Sequence, residues 1–248
     1  MNSGFFVAGV SGQMAQQKMD NITHNLANVN TVGFLGSRAS FETVFTNQSA
    51  VAGNPNASPS AFLKMGSQFI DTGEGNVEQT GNDLDFAILG DAWFRIQLTP
   101  GKEAYTRAGN FTLDAAGNLR TQDGKAVLDS GGSAIQLPPG TITATDQGEL
   151  FVNNKKISEF GMIKITDPAG IERIGNVLVK TAPSNITPAE TSISVRQGAL
   201  EASNVNSVLA MTEMITTLRN YQAMIKLIEQ YNQQASLLSQ QVGQVQGI

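Results

Sequence analysis

Cysteine is absent from the 248 residues, and histidine and tryptophan occur once each. Without cysteine there is no disulfide and no thiolate metal site. With His24 as the sole histidine, neither a histidine acid–base relay nor the usual zinc ligand sets can be assembled. Charge is scarce too: Asp, Glu, Lys and Arg make up 15% of the chain, with a net charge of −5, where about a quarter charged is usual. The sign of that balance argues against nucleic acid or an anionic membrane as partner. No apolar run approaches the roughly 18 residues of a membrane span. The apolar stretch 5–10 is short and has no positive charge before it, the first being Lys18, so it does not read as a signal peptide. The expected location is the cytosol, or a site reached by export that reads an uncleaved N-terminus.

What the chain does have is the same helical pattern at both ends. Phe5, Ala8, Gly12, Ala15, Met19, Ile22, Leu26 and Val29 recur at alternating steps of three and four. Met214, Leu218, Tyr221, Ile225, Ile228, Ala235 and Val242 do the same near the other end, interrupted only by Asn232 and Ser239. A 3.5-residue repeat keeps an apolar seam on one side of a supercoiled helix. Such a seam needs a helical partner, and the other end of the chain is the nearest. The spacing predicts one helix over 4–30, stopped before Gly33, and another from Ser203 or Asn204, either a plausible N-cap, to about 242. The second helix carries a further stripe, Met224, Leu227, Tyr231 and Leu238, while residues 230–248 hold seven glutamines and no charge. A two-stranded coil in water carries Lys and Glu on its outer faces. Uncharged outer faces predict packing against further helices, and terminal helices that become ordered on assembly.

Between the ends the signals change. Residues 46–60 are rich in Asn, Ser, Ala and Pro without periodicity, and read as an exposed loop or arm. From 81 to 197, short β-like runs (84–89, 93–98, 105–113, 142–144, 161–165, 177–181) alternate with turn chemistry such as Ala116-Gly117-Asn118, Asp123-Gly124, Pro139-Gly140 and Asn153-Asn154. This spacing predicts a sandwich or barrel-like domain and not a parallel sheet with crossover helices.

Catalytic constellations find little footing. Asp71, Glu74, Glu78, Asp83, Asp85 and Asp91 could supply the facing carboxylates a glycosidase needs, yet each sits beside Gly, Asn or a strand edge, where acids make turns. Asp114-Ala115-Ala116-Gly117-Asn118 lacks the spaced ligands of a calcium loop and reads as a hairpin turn. Gly73-Glu74-Gly75 lacks the Lys-Ser/Thr of a phosphate loop. His24 reads as a surface or packing residue. No catalytic, cofactor or metal residue is expected.

The segment Asn25-Leu26-Ala27-Asn28-Val29-Asn30-Thr31-Val32-Gly33-Phe34 resembles the N-terminal signature of the flagellar axial rod and hook proteins. Gly198-Ala199-Leu200-Glu201-Ala202-Ser203-Asn204-Val205-Asn206 resembles their C-terminal signature, continued by Met214-Ile215 and Arg219-Asn220-Tyr221. Thr80-Gly81-Asn82-Asp83-Leu84-Asp85-Phe86-Ala87-Ile88 and Tyr105-Thr106-Arg107-Ala108-Gly109-Asn110-Phe111 are similar to the same family's β-domain motifs. One departure is Phe34-Leu35-Gly36: the family places a basic residue soon after the aromatic, and here Arg38 follows later.

The resemblance implies an α+β fold with the N- and C-terminal helices paired as a coiled coil and a central all-β domain. The expected division is 1–35 with 199–248 for the helical part, 36–80 for an extended linker or arm, and 81–198 for the β-rich domain. It implies a non-enzymatic structural subunit of the basal-body rod in the periplasm, with other proximal and distal rod subunits and the flagellar type III export apparatus as partners. Nucleic acid, membrane insertion and cofactors are not expected. Length, and the short segment between Phe45 and Thr80, fit the proximal rod; distal rod and hook subunits are the nearest alternatives. A secreted β-domain that binds or cleaves cell-wall glycan is the alternative of another class. The expected assembly interface comprises Phe5, Ala8, Ala15, Met19, Ile22, Leu26, Asn28, Val29, Asn30, Asn204, Val205, Asn206, Met214, Leu218, Tyr221, Ile225, Ile228, Leu238 and Val242. If the helices run antiparallel, the two Asn-Val-Asn motifs, 28–30 and 204–206, belong at one end of the coil.

Overall fold

A computed structural model of the chain describes residues 2–46, 60–99, 101–189 and 193–245. Most of the expected loop over 46–60 therefore lies outside the described residues. The chain divides into two units, one of residues 1–26, 38–68 and 207–248, the other of residues 27–37 and 69–206.

The first unit holds α1 (Asn2–Ala27) and α2 (Ser207–Val245). Neither contains proline; α1 carries several Ala, Met and Gln, and α2 is rich in Leu, Met and Gln, residues that lose little rotamer freedom in a helix. Their shared unit agrees with the expected pairing of the chain ends. The boundaries differ from expectation. Residues 28–30 form a turn, so α1 stops earlier than expected, and α2 starts at Ser207. Ser203 and Asn204 therefore lie too far upstream to cap it: Ser203 Oγ accepts from Val205 N–H at 3.2 Å, and the Asn204 side chain bonds to Gly36, Asp71 and Gly73. Two strands, Ser37–Thr46 and Ser60–Ile70, pair as a ribbon within the stretch expected to be extended.

The second unit is built on a six-stranded sheet in the order Glu172–Ile174, Leu178–Lys180, Lys102–Thr106, Trp93–Thr99, Met162–Ile165, Ile186–Pro188. Every neighbouring pair in it is antiparallel, as the turn-rich sequence predicts. The two-residue side-chain period of strands sorts its residues onto opposite faces. Phe94, Ile96, Ala104 and Leu178 join one core with Phe86, Phe111, Leu119, Leu150 and Phe160. Trp93, Tyr105, Ile163, Ile165 and Val179 join a second core with Leu35 and Ile70. Phe86 and Phe160 meet edge-to-face at 4.9 Å, and Phe94 and Phe111 at 5.2 Å, the geometry that aromatic quadrupoles favour.

Smaller pieces complete the domain. The strands Glu149–Val152 and Lys155–Glu159 are joined by Asn153-Asn154, with φ of 50° and 65°, the left-handed pair of a tight hairpin. The run 105–113, read as one strand, is broken. After Thr106 the chain turns away, the Gly109 carbonyl accepts from Phe86 N–H at 3.0 Å, and Asn110 bridges Asp85. Asp85 and Asp114, both read as turn residues, behave so: Asp85 accepts from Thr80 Oγ1 and Asn82 Nδ2, and Asp114 from Ala116 N, Asn118 N and Arg120 Nε.

Candidate assembly site

Two places bring together the residues expected to mediate assembly: the helix stripes of the first unit and a knot of loops in the second.

On α1, Ala8, Gly12, Met14 and Ile22 are buried, and Ala15, Met19 and Leu26 are half-buried, while Val7 is exposed. The expected seam is thus the covered face, with Met14 added. On α2 the covered stripe is Ala210, Met214, Thr217, Tyr221, Met224 and Ile228, at steps of four and three. It passes through Thr217, 4% exposed, and not through Leu218, 41% exposed. The reason is that α2 is apolar on several sides, so hydrophobicity alone does not choose the covered one, and Ala210 and Thr217 are slim enough to allow close approach. Beside this stripe runs a second heptad series left open: Val208, Met211, Ile215 and Leu218, each 41–71% exposed. Leu227 is exposed on another side of α2, and Tyr231, the next position along the covered stripe, and Leu237 are exposed toward the end of the helix. Ile225 is half-buried, and the side chains of Phe5, Leu238 and Val242 lie outside the described residues.

The knot joins residues 28–37, 71–76 and 199–206. Gly33 N–H donates to the Glu201 carbonyl at 2.8 Å, and Asn204 N–H to the Phe34 carbonyl at 3.2 Å. The Asn204 side chain accepts from Gly36 N at 2.7 Å and donates to the Asp71 and Gly73 carbonyls at 2.8 and 2.9 Å. Asn28 is buried and accepts from Thr31 Oγ1, whereas Asn30 and Asn206 are exposed and Val29 and Val205 half-buried. The two signature segments therefore lie side by side, as the antiparallel reading of the ends requires.

Glycine is needed where these loops touch. A Cβ on Gly33, whose φ is +64°, would fall 2.2 Å from Ala108 N, and one on Gly75 would fall 1.9 Å from the Ala202 carbonyl oxygen.

Arg173, Arg107 and Glu201 had no distinguishing mark in the sequence as a group, yet they tie the knot to the β-domain. Arg173 lies over the Phe34 ring at 4.8 Å and donates to the Leu35 carbonyl and to Ser37 Oγ. The cation that accompanies the aromatic thus arrives from the sheet, while Arg38 is exposed. Glu201 and Arg107 face each other with both side chains 1% exposed. Burial pushes the Glu201 carboxyl above its ordinary range, and Arg107 and the Gly75 amide pull it back only in part.

Among the described residues no cluster of His, Asp or Glu has metal-ligand geometry, and no helix is long and apolar enough to cross a membrane. His24 is exposed on α1.

Comparison with known proteins covers the same segments. Residues 7–34 match the family described as flagella basal body rod protein, 87–165 the D1 domain of the flagellar hook protein FlgE/F/G, and 196–241 the C-terminal part of flagellar basal body rod FlgEFG proteins. The flagellar basal-body rod protein FlgF of Mesorhizobium japonicum is 35% identical over 235 residues, 93% of each chain. That of Rhizobium meliloti is 36% identical over 225 residues, 89% of this chain and 90% of the relative. The rod protein FlgG of Agrobacterium fabrum is 31% identical over 250 residues, 92% of this chain and 95% of the relative.

Proposed function

From the premise that this chain belongs to the flagellar basal-body rod protein family, and is a structural subunit of the bacterial basal body, we propose that it builds the proximal rod by packing its terminal helices against those of neighbouring subunits. Two relatives that carry the FlgF name and match over about nine-tenths of the chain support the proximal position. The FlgG relatives make the distal rod the nearest rival. Its partners in this reading are other rod subunits and, during export, the type III apparatus. In this reading it works without catalysis; of the carboxylates that could have paired across a cleft, Asp71 and Asp85 accept hydrogen bonds within local turns. Terminal helices that gain order on assembly are part of the same reading.

The observation that carries it is the doubled apolar surface of α2. One stripe is covered within the chain, and Val208, Met211, Ile215 and Leu218 stand open beside it. Open apolar series at heptad spacing in a chain with few charges are what a second helical neighbour would cover. Ile215→Asp, at a site already 54% exposed, should leave the isolated chain within about 0.5 kcal/mol of its parent stability while abolishing incorporation into basal bodies and swimming. Normal rods and motility with this variant would overturn the reading.

A further inference from the structure

Arg107 is sealed inside the β-domain with few partners. Its guanidinium lies over the Trp93 ring at 5.4 Å, and Nε and Nη2 have no hydrogen-bond acceptor. Nη1 reaches Glu201 Oε2 at 3.5 Å, and the half-exposed Asp91 carboxylate stays 3.7 Å away from Nη2. A buried cation of this kind depends on its counter-charge, because removing one partner leaves the other desolvated and unpaired.

Glu201 reaches beyond that arginine. Its second carboxylate oxygen accepts from Gly75 N–H at 2.8 Å, and its backbone carbonyl accepts from Gly33 N–H at 2.8 Å. One residue therefore holds the N-terminal segment, the connection after the ribbon, and the β-domain at once. At positions 33 and 75 the backbones approach so closely that a Cβ would clash with Ala108 and Ala202.

We infer that Glu201 is a latch, with Arg107 as its receiver, that makes docking of residues 28–37, 71–76 and 199–206 onto the β-domain a single all-or-none event. Lifting 199–206 strips Arg107 of its counter-charge and deprives the Gly33 and Gly75 amides of acceptors together, so half-docked arrangements are penalised. The device is conformational: it permits one open and one closed state of the knot from which both terminal helices depart, with nothing stable between.

Amide hydrogen exchange on the full-length chain tests this. In Glu201→Gln, which keeps an acceptor for Gly75 and removes the charge, the Gly33, Gly36, Asp71 and Gly75 amides should accelerate together, on the order of a hundredfold. Adding Arg107→Met should restore protection toward the parent, and Asp91→Asn alone should leave all four amides unchanged. Acceleration of Gly75 alone, or no recovery in the double variant, overturns the latch. Should Glu201→Gln fail to fold, the double variant decides: the latch requires that it fold, and its failure counts against it.

Discussion

The amide of Gly36 donates to the side-chain oxygen of Asn204 at 2.7 Å, across 168 residues of chain. This bond, together with the two that Asn204 Nδ2 donates to the Asp71 and Gly73 carbonyls, gives one amide side chain the work of joining three segments. Asparagine suits the position because it offers an acceptor and two donors from one short stem.

Asn204→Ala should therefore cost about 2–4 kcal/mol, since it leaves a Gly36 N–H and two carbonyls short of partners. Asn204→Asp keeps the acceptor but sets a negative charge against two carbonyl oxygens, and should be no better than alanine. Urea unfolding of both variants checks the ranking. An aspartate variant close to the parent would show that the two donated bonds contribute little.

Gly33→Ala combines a left-handed backbone with a Cβ 2.2 Å from Ala108 N. Gly124 also has a positive φ, +77°, but its Cβ would meet nothing within 4 Å. The first substitution should destabilise by about 3 kcal/mol or more and the second by about 1 kcal/mol, the backbone term alone. Thermal unfolding of the two side by side isolates the steric part.

Tyr105 supplies a pH signature. Burial, and then the neighbouring Glu103 carboxylate, push its phenol up from 10.0 to about 12, and its hydroxyl donates to Glu103 Oε2 at 3.3 Å. A raised value means the folded chain holds this proton more tightly than the unfolded one. The associated stability is full below about pH 10 and is lost as pH rises toward 12. Tyr105→Phe should remove that alkaline decline, so that parent and variant converge between pH 10 and 12. Unfolding free energies measured across that window give the comparison.

The helices and most strands were legible in the residues, because a 3.5-residue repeat and turn chemistry are local signals. Asp85 and Asp114 could be read as turn makers for the same reason: their partners lie within a few residues of them. The meeting of the two Asn-Val-Asn segments was legible, but the individual bonds of the knot were not. Glu201 meets Arg107 across 94 residues and Arg173 meets Ser37 across 136, and no periodicity registers such pairs. Ser203 and Asn204 had the composition of helix caps, but the long-range acceptor role of Asn204 prevailed over local capping. Thr217 was passed over for Leu218 because a polar label hid a slim side chain that fits a covered stripe.

The pairing of Gly33 with Glu201 and of Phe34 with Asn204 has a mechanical corollary. Both segments advance in the same direction, so a load that enters at residue 28 and leaves at residue 206 pulls them past each other lengthwise. Bonds loaded in that manner must rupture together and cannot be peeled one after another. The stitching that closes the β-domain is thus oriented to resist tension between the chain's two ends.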